Sequence, residues 1–300
     1  LAAKKPSSAP CCIAWASISA AYTADPGLTG GFVTRFAPSP TGYLHRGHAF
    51  SALNAARAAR EADGRFLLRI EDIDTARCKP EFEAAIADDL AWLGLEWETP
   101  VRRQSQHLAV YRNALARLES AGLLYPCART RRDILEGIGR APQDGDPRDE
   151  RMETADGPVA WRLSLQAAQR KLGAVQDLTF VEEGEGPTGE TGVITVDPHR
   201  IGDVILGRKD LGVSYHLAVV IDDAIQGVSH VIRGNDLFAA SHVQRVLQAL
   251  LDLPTPVYRH HRLELRPDGK RFAKRDTTET LRDLRKRGVT TEALRAFLGF

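Results

Sequence analysis

Short apolar runs alternate with longer amphipathic ones over the first hundred residues. Phe32–Ala37 (FVTRFA) predicts a strand that runs into Pro38-Ser39-Pro40-Thr41-Gly42, a stretch dense in helix-breaking residues. From Gly47 to Ala62, Ala, Leu and Arg recur at helical spacing, and Asp63-Gly64 closes the pattern. Arg65–Ile70 (RFLLRI) predicts a compact buried strand. A second helix is predicted over Pro80–Leu93, opened by a proline and carrying Glu81 and Glu83 where the helix dipole favours acids. Strand, loop, helix, strand, helix at this spacing predicts an α/β fold with a parallel sheet.

The rhythm then changes. Gln106–Ala121 predicts a helix, Thr130–Asp156 is polar and turn-rich, and Val159–Leu163 and Asp203–Leu206 predict short strands. Glu182–Gly192 (EEGEGPTGETG) predicts an acidic, glycine-rich loop. Strands are expected again at Ser214–Ile221 (SYHLAVVI) and Val228–Arg233, followed by a long amphipathic helix over Asp236–Leu251. An α/β core interrupted by an insertion and then resumed accounts for this order. The expected division is an extension over 1–31, the first half of the core over 32–106, an inserted subdomain over 107–209, the second half over 210–256 and a short C-terminal helical segment over 257–300.

Composition narrows the function classes without naming one. Of the 300 residues, 43% are hydrophobic and 26% charged, which excludes a wholly disordered chain. The net charge of +1 excludes a global polyelectrolyte, but the segment Arg259–Phe300 carries a local +6 on a body of −5. A basic end of this kind suits a polyphosphate or nucleic-acid partner, or is a solvated arginine-rich helix face. No apolar run approaches the ~18 residues of a membrane span. Cysteines at 11, 12, 78 and 127 are too few and too scattered for a disulfide framework and suggest a reducing compartment, the cytoplasm. Leu1–Gly31 weakly imitates a secretory signal, but its apolar centre is broken by Ser17 and Ser19, and a disordered extension or a mis-set start is expected instead.

The chemistry concentrates in four stretches. Arg35-Phe-Ala-Pro-Ser-Pro-Thr-Gly42-Tyr-Leu-His45-Arg-Gly47-His48 brings a strand into a rigid loop and sets two histidines three apart where a helix begins. A helix N-terminus offers unsatisfied N–H groups and positive dipole charge, so it binds phosphate readily. Two imidazoles placed there can donate to phosphoryl oxygens as charge develops, and Gly47 leaves room for a nucleotide against the backbone. Arg69-Ile-Glu71-Asp72-Ile-Asp74 reads alone as a solvated acidic turn, a magnesium ligand set or a binding element. The other two are Tyr215-His-Leu-Ala-Val219-Val-Ile-Asp222-Asp223, with Arg233 downstream, and Gly269-Lys270-Arg271-Phe272-Ala273-Lys274-Arg275-Asp276. No GxxxxGK[ST] occurs, so no P-loop is expected.

In this order the four stretches closely resemble the signatures of class I aminoacyl-tRNA synthetases of the glutamyl branch, from Phe32 to about Thr278. The resemblance implies a Rossmann-type parallel sheet with an inserted subdomain. It also implies ATP with Mg2+, and glutamate contacts at Arg35, Ala37, Ser39, Glu71, Tyr215 and Arg233. His45, Gly47, His48 and Lys274 would then hold ATP, with His45, His48 and Lys274 catalytic. Arginine suits a dicarboxylate because its planar fork grips carboxylate bidentately, Glu71 would take the substrate ammonium, and an amide in place of the carboxylate would leave an arginine unpaired.

Three departures from the family pattern shape the expectation further. In the lysine loop, Arg271 replaces a lysine and Ala273 a serine, while Lys274 is kept. After Cys127, Arg129 stands where many relatives place a second zinc cysteine, so no structural zinc is expected, and Cys127 is expected to be a buried apolar residue. Val219 replaces an asparagine, and the chain ends soon after the lysine loop, which predicts no anticodon-binding domain. These last features resemble the shortened glutamyl-queuosine tRNA(Asp) synthetase family. That resemblance implies activation of L-glutamate and its transfer to queuosine in tRNA(Asp), by a monomer without membrane partners. A truncated glutamyl-tRNA synthetase and a non-catalytic nucleotide- or RNA-binding module are the alternatives.

Overall fold

The computed structural model describes residues 31–127, 159–210, 212–264 and 279–300. Three parallel strands form one run: β1 (Val33–Phe36) beside β2 (Arg65–Ile70), and β2 beside β3 (Glu98–Arg103). A second run has the order β7-β6-β10-β9, from β6 (Thr179–Glu182), β7 (Gly192–Thr195), β9 (His230–Gly234) and β10 (Val257–His261). Here β10 pairs in parallel with β9 and β6, while β7 turns back antiparallel. The two runs meet where Ser229 N–H donates to the Val33 carbonyl at 3.0 Å and Ser229 Oγ accepts from Val33 N–H at 2.8 Å. Chain order therefore diverges on either side of the β1/β9 junction. In an open α/β sheet such a switch point opens a crevice outside the carboxyl ends of the strands, where ligands bind.

Alternation along the strands explains why helices cover both faces. On β2, Leu67 faces one core cluster while Phe66, Leu68 and Ile70 face the other; on β9, Val231 and Ile232 divide in the same way. Helices α1 (Arg46–Glu61) and α2 (Pro80–Trp92) cover one face together with α7 (Leu281–Lys286) and α8 (Thr291–Leu298). The other face is covered by α3 (Leu108–Ser120), α5 (Tyr215–Ile225) and α6 (Phe238–Leu250), with α4 (Leu165–Leu172) packed on the same core. A small antiparallel sheet, β4 (Leu124–Cys127), β5 (Ala160–Leu163) and β8 (Ile205–Gly207), stands apart from the parallel one, and Cys127 is buried in it. Between those strands in the chain, β6 and β7 extend the main sheet rather than the small one.

One sequence expectation is corrected. Ser214–Ile221, expected as a strand, is the start of helix α5. Every residue from Leu217 to Ala224 is buried, so the run has no polar face to mark a helical period, and a fully buried helix looks like a buried strand. The run continues through Asp222-Asp223-Ala224-Ile225 to a helix's length. Strands β3, β6, β7 and β10, which the apolar pattern did not reveal, complete the sheet. The opening thirty residues, the segment 128–158 that follows Cys127, and the lysine-loop segment 265–278 lie outside the described residues. Among the described residues no helix is long and apolar enough to cross a membrane.

Candidate active site

Strand β1 delivers Arg35 to the sheet's carboxyl edge, and the loop after it leads to His45, the N-cap of α1. His45 has extended backbone angles, and its N–H donates to Nδ1 of His48 at 3.1 Å. The two rings lie 3.7 Å apart between centroids. Because Nδ1 of His48 accepts, a neutral His48 carries its proton on Nε2, so the ring presents a donor away from the backbone. A Cβ on Gly47 would sit 3.2 Å from Cε1 of His45, so the glycine spares the ring as well as the space beside it.

These residues line a cavity of about 400 Å³ at the β1/β9 switch point. Its walls include Arg35, Ala37, Ser39, His45, Gly47 and His48, with Arg233 facing them from β9. Seven of the residues expected from the sequence thus share one cavity. Glu71 and Tyr215 are not among its lining residues: Glu71 is bonded to Arg69, and the Tyr215 hydroxyl lies 3.5 Å from Nη1 of Arg233. Lys274 belongs to the undescribed segment; the described residues on its two sides, His261 and Glu264 before it and Thr280 after it, stand at the cavity or against His45. Thr280 bridges His45, Leu281 N–H donates to the Leu44 carbonyl at 2.8 Å, and Glu279 pairs with Arg46 at 2.7 Å.

Behind Arg35 runs a buried row of alternating charges. Asp223 takes Arg35 in a fork, Nε at 2.9 Å and Nη2 at 3.3 Å, and accepts from Nη1 of Arg69 at 2.7 Å. Arg69, fully buried, reaches Glu71 at 3.1 Å. Next to it, Asp222 accepts from Arg102 at 2.7 Å, from Gln104 at 2.8 Å and from the Tyr111 hydroxyl at 2.8 Å. Carboxylates at this depth are stable only when paired. Burial works to raise the Asp223 carboxyl, but Arg35 and Arg69 outweigh it and hold the group below the usual carboxylate range. Burial raises the Glu71 carboxyl, against the opposing pull of Arg69 and Arg35. Arg35 spends Nε and Nη2 on Asp223, and among the described residues its Nη1 has no partner.

Arg233 is more fully engaged. Its Nε donates to Nε2 of His260 at 3.1 Å, Nη2 to Ser241 Oγ at 2.8 Å and to the Leu237 carbonyl at 3.3 Å, and Nη1 reaches the Tyr215 hydroxyl at 3.5 Å. Burial raises the Tyr215 phenol, keeping it a neutral donor or acceptor. His216, next to it, is pushed down to about 4 by burial and by Arg233, so it is uncharged at neutral pH.

Sequence reasoning found the residues that face the cavity and missed those that hold them: Asp223, Ser241, His260 and Glu182. For Asp223 a signal was present, since two adjacent carboxylates inside an apolar run must be buried and paired. Among the described residues no group of three or more His, Cys, Asp or Glu side chains is placed to hold a metal ion.

Comparisons with known proteins identify the family. Residues 32–300 match the model of the family described as tRNA synthetases class I (E and Q), catalytic domain. A glutamyl-Q tRNA(Asp) synthetase of Rhodobacter capsulatus is 47% identical over 283 residues, covering 89% of this chain and 99% of that protein. One from Symbiobacterium thermophilum is 38% identical, covering 89% of this chain and 85% of its own length. A crystal structure of a glutamate tRNA ligase from Elizabethkingia meningosepticum in complex with its amino acid superposes with a TM-score of 0.65. At 24% identity over 86% of this chain and 53% of that one, it shows the shared fold. From Phe32 to its last residue, the chain belongs to the class I tRNA synthetases of the E and Q family, whose catalytic domain it forms.

Proposed function

We propose that this chain activates L-glutamate with ATP and transfers the glutamyl group to the queuosine of tRNA(Asp). The observation that carries the reading is that a histidine pair at a helix N-terminus and two buried arginines line a single cavity. Histidines at a helix N-terminus suit phosphate. The arginines suit a carboxylate. ATP and an acidic amino acid are the pair that such a cavity takes. The names and identities of the curated relatives support the queuosine-bearing acceptor over a truncated enzyme charging tRNA(Glu).

In the proposed first step, glutamate is held with its side-chain carboxylate toward Arg233 and Nη1 of Arg35. The α-carboxylate attacks the α-phosphorus of ATP in line, forming the mixed anhydride glutamyl adenylate and expelling pyrophosphate. Nε2–H of His48, with His45 beside it, donates to the phosphoryl oxygens as their charge rises. Lys274 is proposed to meet the leaving pyrophosphate. In the second step a hydroxyl of the modified nucleoside attacks the acyl carbon and the acyl–phosphate C–O bond breaks. AMP departs as the phosphate leaving group, and the hydroxyl proton passes to the leaving phosphate or to solvent.

No side-chain nucleophile is needed. The family uses ATP. A magnesium ion fits as a companion of the nucleotide rather than a resident: Asp236 and Glu264 line the cavity, but no described cluster cages a cation. Held mainly by phosphate oxygens and water, it would neutralise phosphate charge. The carboxyl of Glu71 is proposed to meet the substrate ammonium, and Ala37 and Ser39 to line the amino-acid side. A tRNA substrate supports a cytoplasmic setting, and the enzyme is proposed to act as a monomer.

Glutamate-dependent ATP–pyrophosphate exchange is expected without any tRNA, and glutamine is expected to fail as a substitute. Acylation is then expected with tRNA(Asp) carrying queuosine, and not with tRNA(Asp) lacking it or with tRNA(Glu). Charging of tRNA(Glu) alone would favour the truncated enzyme. An absence of exchange with intact, folded protein would leave only the non-catalytic module.

A further inference from the structure

Three neighbouring strands carry one hydrogen-bonded row toward the cavity. Glu182 ends β6, His260 lies on β10 and Arg233 on β9; β10 runs between the other two, with His260 in register with Arg233. Only Arg233 lines the cavity. The Glu182 and His260 side chains have no exposed surface. Nδ1 of His260 stands 2.5 Å from Oε2 of Glu182, and Nε2 lies 3.1 Å from Nε of Arg233. The guanidinium Nε can only donate, so Nε2 of His260 must accept. That assigns the histidine proton to Nδ1, which donates it in a hydrogen bond to Glu182.

Glu182 is itself fixed. Its Oε1 accepts from the backbone N–H groups of His260 and Gly184, each at 2.8 Å. Gly184 allows this approach, since a Cβ there would come within 2.1 Å of the His260 carbonyl oxygen. Burial works to raise the Glu182 carboxyl, but the bonds from His260 and Gly184 lower it, so it remains a carboxylate. Burial lowers His260 despite the pull of Glu182, which keeps the ring neutral. The other groups facing the ring are Ser241 on α6, 3.5 Å from Nε2, the stacked Tyr258 on its own strand, and Asp236 on the turn before α6.

We propose that Glu182 and His260 are positioning residues for substrate recognition: Glu182 fixes His260 as the Nδ1–H tautomer, and its Nε2 aims the Arg233 guanidinium at the substrate's acidic group. Neither touches substrate. A carboxylate orienting an imidazole is familiar from hydrolytic triads, but here the imidazole's other nitrogen orients a cation instead of taking a proton. The row converts an arginine with many rotamers into a fixed fork, which lowers the entropy lost when the substrate binds. The proposal rests on the reading of Arg233 as a contact for glutamate.

Glu182→Gln tests it with little change of shape. The amide oxygen would keep the two backbone bonds, which turns the NH2 toward Nδ1 of His260. Nδ1 then becomes an acceptor, the proton moves to Nε2, and a donor confronts Nε of Arg233. Nitrogen-15 NMR of the histidine side chains should show the Nδ1–H form of His260 in the wild type and the Nε2–H form in Glu182→Gln.

In exchange assays the KM for glutamate should rise about tenfold or more, the loss expected for one hydrogen bond to a charged group. The KM for ATP should stay within about twofold. His260→Gln, whose amide oxygen can still accept from Arg233, should recover part of the loss seen in His260→Leu. An Nε2–H tautomer in the wild type would overturn the proposal, as would a flipped tautomer in Glu182→Gln with an unchanged glutamate KM. Wild-type protein with the Nδ1–H tautomer but no glutamate-dependent exchange would instead remove the substrate reading, leaving the row as measured.

Discussion

Asp223→Asn is expected to lower the melting temperature by roughly 5–8 °C and to abolish glutamate-dependent exchange together. Asp223 is 7% exposed and is the shared partner of Arg35 and Arg69. Removing one partner of a buried ion pair leaves an uncompensated charge and costs about 3–5 kcal/mol. In a protein of this size each kcal/mol shifts the midpoint by about 1.6 °C. The amide would also release Arg35, whose Nη1 is aimed only because Nε and Nη2 are held.

The pH dependence has a definite sign. A carboxyl held below its usual range stabilises the fold above its unfolded pKa of about 3.9, and that contribution is lost as pH falls through the lower folded value. The wild type should therefore lose stability below about pH 4, and the variant should lose less over the same range. Thermal unfolding at pH 7 and pH 3 measures both. Asp210→Asn is the control, since its pair with Arg208 is exposed and worth under about 1 kcal/mol. A midpoint for Asp223→Asn within 2 °C of wild type would contradict the row of charges described here.

His48→Asn should reduce the rate of adenylate formation about 10²- to 10³-fold with little change in stability. The asparagine side chain can still accept near the position of Nδ1, so the bond from the His45 N–H and the helix start are kept. What disappears is the Nε2 donor, and loss of one donor aimed at developing oxyanion charge has an effect of this size. The KM values for ATP and glutamate should move by no more than a few-fold, because the donor acts on charge that appears in the transition state. Pre-steady-state measurement of adenylate formation separates the two quantities. A rate within threefold of wild type would show that His48 serves only to cap α1.

The site's outer surface was legible in the sequence because its loops are written in residues with few other uses. Prolines, glycines and histidines between a strand and a helix leave little freedom, and the structure places His45, Gly47 and His48 where that loop predicts. The supporting layer was far less legible. Strand β10 (VYRHH) alternates inward and outward as a strand should, but its inward residues are Tyr258 and His260, polar in composition though buried. Strand β3 (ETPVRR) has no buried residue and ends the run beyond β2, so it lacks the apolar signal of an interior strand. Glu182 looked like the first residue of an acidic loop, yet it closes β6 at 1% exposure. Helix α5 was misread for the opposite reason, since it is apolar on every side. In each case a tertiary partner supplied by a distant strand decided the outcome, and local pattern carries no trace of that partner.

The depth of the row from Glu71 through Arg69 and Asp223 to Arg35 has a consequence for ionic strength. Mobile ions weaken exposed charges over a Debye length of about 8 Å at physiological salt, but they scarcely reach pairs excluded from water. Amino-acid selection should thus be nearly indifferent to added potassium chloride. Engagement of the polyanionic tRNA, which must displace condensed counterions, should weaken steeply over the same range. The two halves of the reaction therefore come apart along a single experimental axis: one is shielded by the interior, the other left to the solvent.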